Sequence, residues 1–308
     1  MDRRWKIALG VAAGVAGISV GASLASRYLF KRRVQDESRA LLDSVAPRPD
    51  EPIDESQLRD LPEPVARYLR YAGVVGRVPV RTARVRQRGA MRLSRDDEWS
   101  KFKATEYYAA APPGFVWDAQ LDMLPIVPVD ARDYYIRGRG AFEGKAGGLF
   151  TVAQGRGVAV DQSAALRMLN ELVFFPTAYL EPYVRWEAID DVSARVFMKH
   201  WDGEVSATCY FARDGRMVDF VAERFRSTDD GPVKTDWRTP FRDWAEVNGF
   251  RIPTAGSGIW ILEDGEFEYI RLDIDRVEYG IGPEAVTSEK QRTKRLSSNV
   301  PRDIRERG

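Results

Sequence analysis

DQSAALRMLNELVFFPTAYLEPYVRW, from Asp161 to Trp186, decides how the chain folds. Leu166, Leu169, Leu172 and Val173 recur at three- and four-residue spacing, which makes one apolar stripe of a helix, and Asp161 or Ser163 can cap its start. Pro176 has no backbone donor and restricts the residue before it, so the helix is predicted over 161–175. The run Phe174-Phe175-Pro176-Thr177-Ala178 then reads as a corner, with Pro176 opening a second short turn. On both sides of this stretch the domain reads as strand. The helix therefore lies against sheet, either as a plug filling the open face of a curved sheet or as a lid over an apolar cavity.

Working outward, Ala83, Val85, Gly89, Met91 and Leu93 alternate with Arg84, Arg86, Arg88 and Arg92, the pattern of a half-buried strand. Phe102, Ala104, Glu106 and Tyr108 share one face of the next strand, which sets Glu106 among apolar neighbours. Phe115, Trp117, Ala119, Leu121 and Met123 form a one-sided strand after Pro112-Pro113-Gly114. A further antiparallel pair is expected from Val129 to Gly140 and from Ala141 to Ala153, with Gly147-Gly148 as a flexible interruption. After the helix, Asp202-Gly203, Asp214-Gly215, Asp230-Gly231, Asn248-Gly249 and Asp264-Gly265 separate alternating runs, a ladder of hairpins. Trp237 to Trp244 reads as a polar-aromatic connection. The fold class is mainly β (α+β): a curved antiparallel sheet or half-barrel wrapped around a central helix.

At 308 residues and 44% apolar content, the chain can bury one large core. Lysine and arginine number 47 against 46 acidic residues, so no global field argues for nucleic acid. The single cysteine, Cys209, allows no internal disulfide, and it falls on a core face. With His200 as the single histidine, the usual zinc sites and histidine-dependent triads are excluded, and neither metal nor cofactor is expected.

Ile7 to Ala25 is apolar apart from Ser and Gly, close to the length of about 20 residues that a bilayer core needs. Arg3, Arg4 and Lys6 flank it on one side and Arg27, Lys31, Arg32 and Arg33 on the other. Residues 1–33 are read as a single-pass N-terminal transmembrane anchor. A cleavable signal peptide is the alternative, since Ser23-Leu24-Ala25 has the small-x-small pattern of such sites. Apolar character resuming at Tyr28-Leu29-Phe30 before a Lys-Arg-Arg block favours the anchor, and similar charge at both ends leaves its orientation open. Gly10, Gly14, Gly17 and Gly21 are spaced to let two such helices approach. Residues 34–60, rich in proline and acids after a short helical continuation, read as a linker. A helix, Val65 to Tyr71, opens a domain spanning 61–282, and 283–308 reads as a disordered charged tail.

Leu61-Pro62-Glu63-Pro64 through Arg67-Tyr68-Leu69, Pro113-Gly114-Phe115-Val116-Trp117, Phe174-Phe175-Pro176-Thr177-Ala178 and Val184-Arg185-Trp186-Glu187 resemble signatures of a bacterial family of uncharacterised proteins. Its members carry one domain of unknown function, often behind a membrane segment, and the resemblance covers Leu61 to Tyr279. Phe174 stands where members often have Trp. The family implies no catalytic residues. A long sheet wrapped round a helix is also similar to the half-barrels of LolA-like lipoprotein carriers, a likeness of fold that carries no function.

Glu106, Glu171, Glu187 and Arg224 sit on or beside faces that otherwise read as apolar, and a buried carboxylate needs a partner. Glu171 can pair with Arg167 one helical turn earlier, or it can face a pocket with Glu106 and Arg224. Trp117, Phe174, Phe175, Tyr179 and Trp186 are expected to line that pocket, with Glu171 near its mouth. Gly138-Arg139-Gly140 and Gly147-Gly148 lack the helix that a phosphate loop requires. The expected function is a membrane-attached domain holding an apolar ligand, lipid or acyl chain, between sheet and helix, with the bilayer as partner. A scaffold with a solid core is the alternative, and a carboxylate-dependent hydrolase is a third.

Overall fold

The structure is a computed structural model that describes residues 3–123, 127–200 and 203–286, with side chains from residue 21 onward. A long helix, α1 (Arg3–Asp43), comes first, and a second, α2 (Glu63–Tyr71), precedes the sheet. Six strands follow in sequence: β1 (Thr82–Met91), β2 (Ser100–Ala109), β3 (Gly114–Leu121), β4 (Val129–Ile136), β5 (Arg139–Ala146) and β6 (Phe150–Arg156). Then come α3 (Val158–Glu171), β7 (Val184–Asp190), β8 (Ser193–His200), β9 (Gly203–Phe211) and β10 (Met217–Thr228). The last four strands are β11 (Gly231–Arg238), β12 (Phe241–Val247), β13 (Phe250–Leu262) and β14 (Gly265–Tyr279).

Among the described residues these 14 strands make one antiparallel sheet, ordered β6-β5-β4-β3-β2-β1-β14-β13-β11-β10-β9-β8-β7, with β12 also pairing β13. Two meanders, β1–β6 and β7–β14, are thus joined by the β1–β14 pair, and β6 and β7 are left as the two edges. The chain must cross from one edge to the other between β6 and β7, and α3 makes that crossing through the concave face, against β4, β5, β9 and β10. A half-barrel around a helix results. Leu166, Leu169, Leu172 and Val173 are buried as the stripe predicts. The tight turns follow the Asp-Gly and Asn-Gly signals, with Asn248 (φ 50°) and Gly249 (φ 87°) both in the left-handed region that a two-residue hairpin demands.

Several boundaries differ from the sequence reading. The helix begins at Val158 behind Gly157, so neither Asp161 nor Ser163 is its cap. Asp161 instead accepts from the Gly140 amide at 2.7 Å and from Arg139 at 2.9 Å, and so ties α3 to β5. The helix ends at Glu171 rather than Phe175, and two 3₁₀ turns, Leu172–Phe174 and Pro176–Leu180, carry the corner. Gly147 and Gly148 form a turn between β5 and β6 rather than an interruption, which gives one strand more than expected. Trp237 and Trp244 lie in strands: β11 and β12 pair successive parts of the same edge of β13, broken at Thr239-Pro240.

On the convex face, Phe30, Val34, Leu41 and Leu42 of α1 pack against Tyr107, Ala109, Val116 and Val286. Arg27 pairs with Asp130 at 2.7 Å, and Lys31 with Asp118 at 2.5 Å. Arg132, fully buried, pairs with Glu37 and with Glu143. Residues 44–60 follow the domain surface closely enough to bury Ile53 and Leu58. Among the described residues no helix is long and apolar enough to cross a membrane. Most of the Ile7–Ala25 run, with Gly10, Gly14 and Gly17, lies outside the residues whose side chains are described, as do residues 287–308 of the expected tail. Pro283–Ala285 form a 3₁₀ turn.

Candidate functional site

α3 has two working faces. Ala165, Leu166, Met168 and Leu169 are buried in the core, whereas Ala159, Val160, Ser163, Ala164 and Arg167 border a cleft of about 440 Å³ between the helix and the concave sheet. That volume is in the range of small-molecule sites. Trp117, Phe142, Phe174, Trp237, Trp260 and Phe267 supply the aromatic walls.

Arg167 dominates one end. Its Nη2 donates to Glu106 Oε1 at 2.7 Å, its Nη1 to Asp133 Oδ2 at 2.6 Å and its Nε to Glu171 Oε1 at 2.8 Å. The guanidinium lies 4.6 Å from the Phe115 ring centroid and 5.4 Å from that of Trp117. Beyond it, Gln87 Nε2 donates to Glu106 Oε2 at 2.8 Å, Trp117 Nε1 to Gln87 Oε1 at 3.2 Å, and Tyr108 Oη to Glu171 Oε2 at 3.2 Å. One guanidinium thus serves three carboxylates, and every member has a partner. Burial pushes the Glu106 carboxyl well above the ordinary value of 4.5, with Arg167 opposing and Glu171 adding. Burial pulls the Arg167 guanidinium down, but Glu106, Glu171 and Asp133 together outweigh it and leave the cation well above its ordinary value. The cluster is a clamp between helix and sheet. Glu106 has no exposed surface from which to activate a water.

The opposite end is built differently. β10 turns Phe220, Ala222, Arg224 and Arg226 to the concave side by simple alternation. Arg224 lies 4.6 Å from the Trp237 ring centroid and 5.8 Å from that of Trp260, and its Nη1 donates to Tyr269 Oη at 3.3 Å. Arg226 borders the same space.

Of the expected site residues, Trp117, Glu171, Phe174 and Arg224 border the cleft, and Glu106 stands behind it through Gln87 and Arg167. Phe175, Tyr179 and Trp186 do not. Phe175 packs on Tyr108, with ring centroids 5.2 Å apart, and Tyr179 on Trp186 at 5.5 Å. Consecutive residues at the corner point to opposite sides, so Phe174 faces the cleft while Phe175 enters the core. Glu187 is exposed and pairs with Arg185. Gln87, Asp133 and Arg226 were missed. Asp133 shares a strand face with Val129, Ala131 and Tyr135, and Arg226 follows Arg224 by two, so alternation could have found both. Gln87 shares its strand face with Ala83, Val85 and Gly89, so alternation could have found it as well; the bulge beside it falls on β14, where Asp275 is the extra residue, and leaves the β1–β2 register unbroken.

The chain matches a family of unknown function, DUF6544, over residues 51–272. It belongs to that family. The match starts within the packed segment before α2 and ends inside β14, so the DUF6544 region contains the cleft and both of its ends. No curated protein matches the sequence. Among solved structures, this DUF6544 chain is similar to a DUF1329 family protein from Desulfovibrio piger, with 9% identity over 75% of this chain and 95% of that one and a TM-score of 0.42. It is also similar to a LolA superfamily protein from Nitrosomonas europaea, with 11% identity over 78% of this chain and 99% of that one and a TM-score of 0.36.

Proposed function

We propose that this chain is a membrane-attached binding domain that holds an apolar ligand, a lipid or acyl chain, between its curved sheet and α3. The carrying observation is the cleft of about 440 Å³ with aromatic walls beside an otherwise well-filled core. A scaffold needs no such space, because well-packed interiors leave few voids larger than a water molecule. The membrane part of the reading rests on the apolar run Ile7–Ala25 and on what lies where that run ends. Ser23 and Ser26 donate to the carbonyls of Gly147 and Gly148 at 2.5 Å, which fixes the β5–β6 turn beside the helix. Next to that turn Leu149, Phe150 and Val152 are exposed, Phe150 at 72%. An apolar edge beside an apolar helix suits a bilayer surface.

The test is to extract the full-length protein from membranes, record its intact mass under native conditions and identify what leaves it in organic solvent. A lipid at near-stoichiometric amount supports the reading. A protein that is repeatedly empty and takes up no fluorescent acyl probe would remove it.

A further inference from the structure

The two ends of the cleft differ in how their cations are paired. At one end Arg167 is saturated by three carboxylates. At the other, Arg224 and Arg226 border the cleft, and among the described residues neither has a carboxylate partner. The Nε of each is buried without a hydrogen-bond partner. Both residues are half-buried, and an unmet buried donor such as these Nε groups is costly. The indoles of Trp237 and Trp260 satisfy the faces of the Arg224 guanidinium but not its edge, where the in-plane N–H groups lie, and Tyr269 takes only one of those. The neighbouring carboxylates are engaged elsewhere: Glu223 by Lys234 at 2.9 Å, and Glu268 by Arg271 and by Ser257 at 2.6 Å. The Cα atoms of two arginines two residues apart on one strand face stand about 7 Å from each other, close enough for both side chains to reach one group. That suits a group with several acceptor oxygens.

We infer that the ligand of this cleft is an amphiphile with an anionic head, a carboxylate or phosphate, whose oxygens are taken by Arg224 and Arg226 while its chain lies along the aromatic walls. The inference rests on the apolar-ligand reading and adds the chemistry and position of the head. It also sets the ligand's direction, because the carboxylate-rich end around Arg167 repels an anion and the β10 end attracts one. Arginine is suited to this role by its planar fork, which meets a carboxylate or phosphate through paired donors.

The deciding experiment uses the full-length protein and a displaceable fluorescent acyl probe. Oleate and oleyl alcohol share a chain and differ in the head; phosphatidic acid and phosphatidylcholine test a phosphate in the same way. Oleate, or phosphatidic acid if the head is a phosphate, is expected to displace the probe at about tenfold lower concentration than its uncharged or zwitterionic counterpart. In Arg224→Gln/Arg226→Gln that ratio should fall to near one while oleyl alcohol binds as before, and Arg224→Lys should retain part of the preference. Equal displacement by the charged and uncharged members of both pairs in the unaltered protein overturns the anionic head and leaves the apolar-ligand reading standing. Failure of the probe and all four amphiphiles to bind removes that reading itself. The comparison in the unaltered protein decides the matter even if the double variant does not fold.

Discussion

Arg167 on α3 donates to Glu106 on β2 across 2.7 Å, and Glu106 has no exposed surface. Through this bond the crossing helix is held to the sheet it crosses. Replacing Arg167 by methionine keeps much of the side-chain volume but leaves Glu106, Asp133 and Glu171 without their shared cation. Removing one partner of a buried pair costs about 3–5 kcal/mol. Glu106→Gln keeps an acceptor for Arg167 but sets an NH2 group against the Gln87 Nε2 donor, so it loses one hydrogen bond and should cost about 1–3 kcal/mol, less than the loss of the cation. Urea unfolding of the two variants should show that order, and equal midpoints would mean that the clamp contributes little.

The same carboxyl should make stability depend on pH in an unusual direction. Burial raises Glu106 well above 4.5, with Arg167 opposing and Glu171 adding, so the folded state holds this proton more tightly than the unfolded chain. Its contribution is full below the unfolded value and is lost as pH rises through the folded one. Glu106→Gln removes that dependence. As pH rises from 4.5 toward neutrality the variant should gain thermal stability relative to the unaltered protein. A difference in Tm that stays constant across that interval would show Glu106 ionised in both states.

How much of this was legible depended on whether the information was local. Asp230-Gly231 and Asn248-Gly249 declare their turns because few residues tolerate a positive φ, and the hairpin ladder follows from them. Glu106 stood out because Phe102, Ala104 and Tyr108 share its face. Its partners did not. Arg167 lies 61 residues away and reaches Glu106 only once the crossing helix is in place. Tyr179 and Trp186 were expected at the cleft because aromatic residues suit both a core and a pocket, and composition does not tell the two apart. The corner decides it: Phe175 at φ −144°, ψ 72° redirects the chain, and the residues after it fill the core beside α2, where Tyr179 meets Tyr68 edge-on at 6.0 Å.

The helix can cross because β5 offers no side chain beneath it at Gly140. A Cβ on Gly140 would stand 2.7 Å from Ala164 Cβ and 2.8 Å from the Val160 carbonyl oxygen. Both obstacles belong to α3, and one of them is backbone, so no flexible side chain can yield. Gly140→Ala should cost about 1–3 kcal/mol, the ordinary range for overpacking. Denaturant midpoints within experimental error of the unaltered protein would show that α3 can lift without cost.

Docking of α1 should depend on Asp130, whose side chain is fully buried and accepts from Arg27 Nε at 2.7 Å and Nη2 at 3.2 Å, with Lys31 Nζ at 3.4 Å. Asp130→Ala takes the carboxylate from half-exposed Arg27, while Lys31 keeps Asp118. Local opening of the helix should rise by about tenfold, and trypsin should cut at Arg27, Lys31, Arg32 or Arg33 faster by a similar factor. The apolar packing of Phe30, Val34, Leu41 and Leu42 continues the interface, so unfolding of the sheet should change by less than about 1 kcal/mol. An unchanged rate of cutting would assign the docking to that apolar stripe alone.

Occupancy of the cleft can be tested by filling it. Ala159 borders the cleft from the first turn of α3, whereas Val158, one residue earlier, is 70% exposed. A tryptophan at 159 carries its indole into space an acyl chain would take; the same residue at 158 meets solvent. Ala159→Trp should weaken acyl-probe binding by at least about tenfold, since each methylene kept from burial forfeits about 0.8 kcal/mol. Val158→Trp should bind as the unaltered protein does, and both should unfold within about 1 kcal/mol of it, because neither position lies in the packed core. Equal loss in both variants would point to disturbance of the helix start. Undiminished binding by Ala159→Trp would place the apolar ligand outside this cleft.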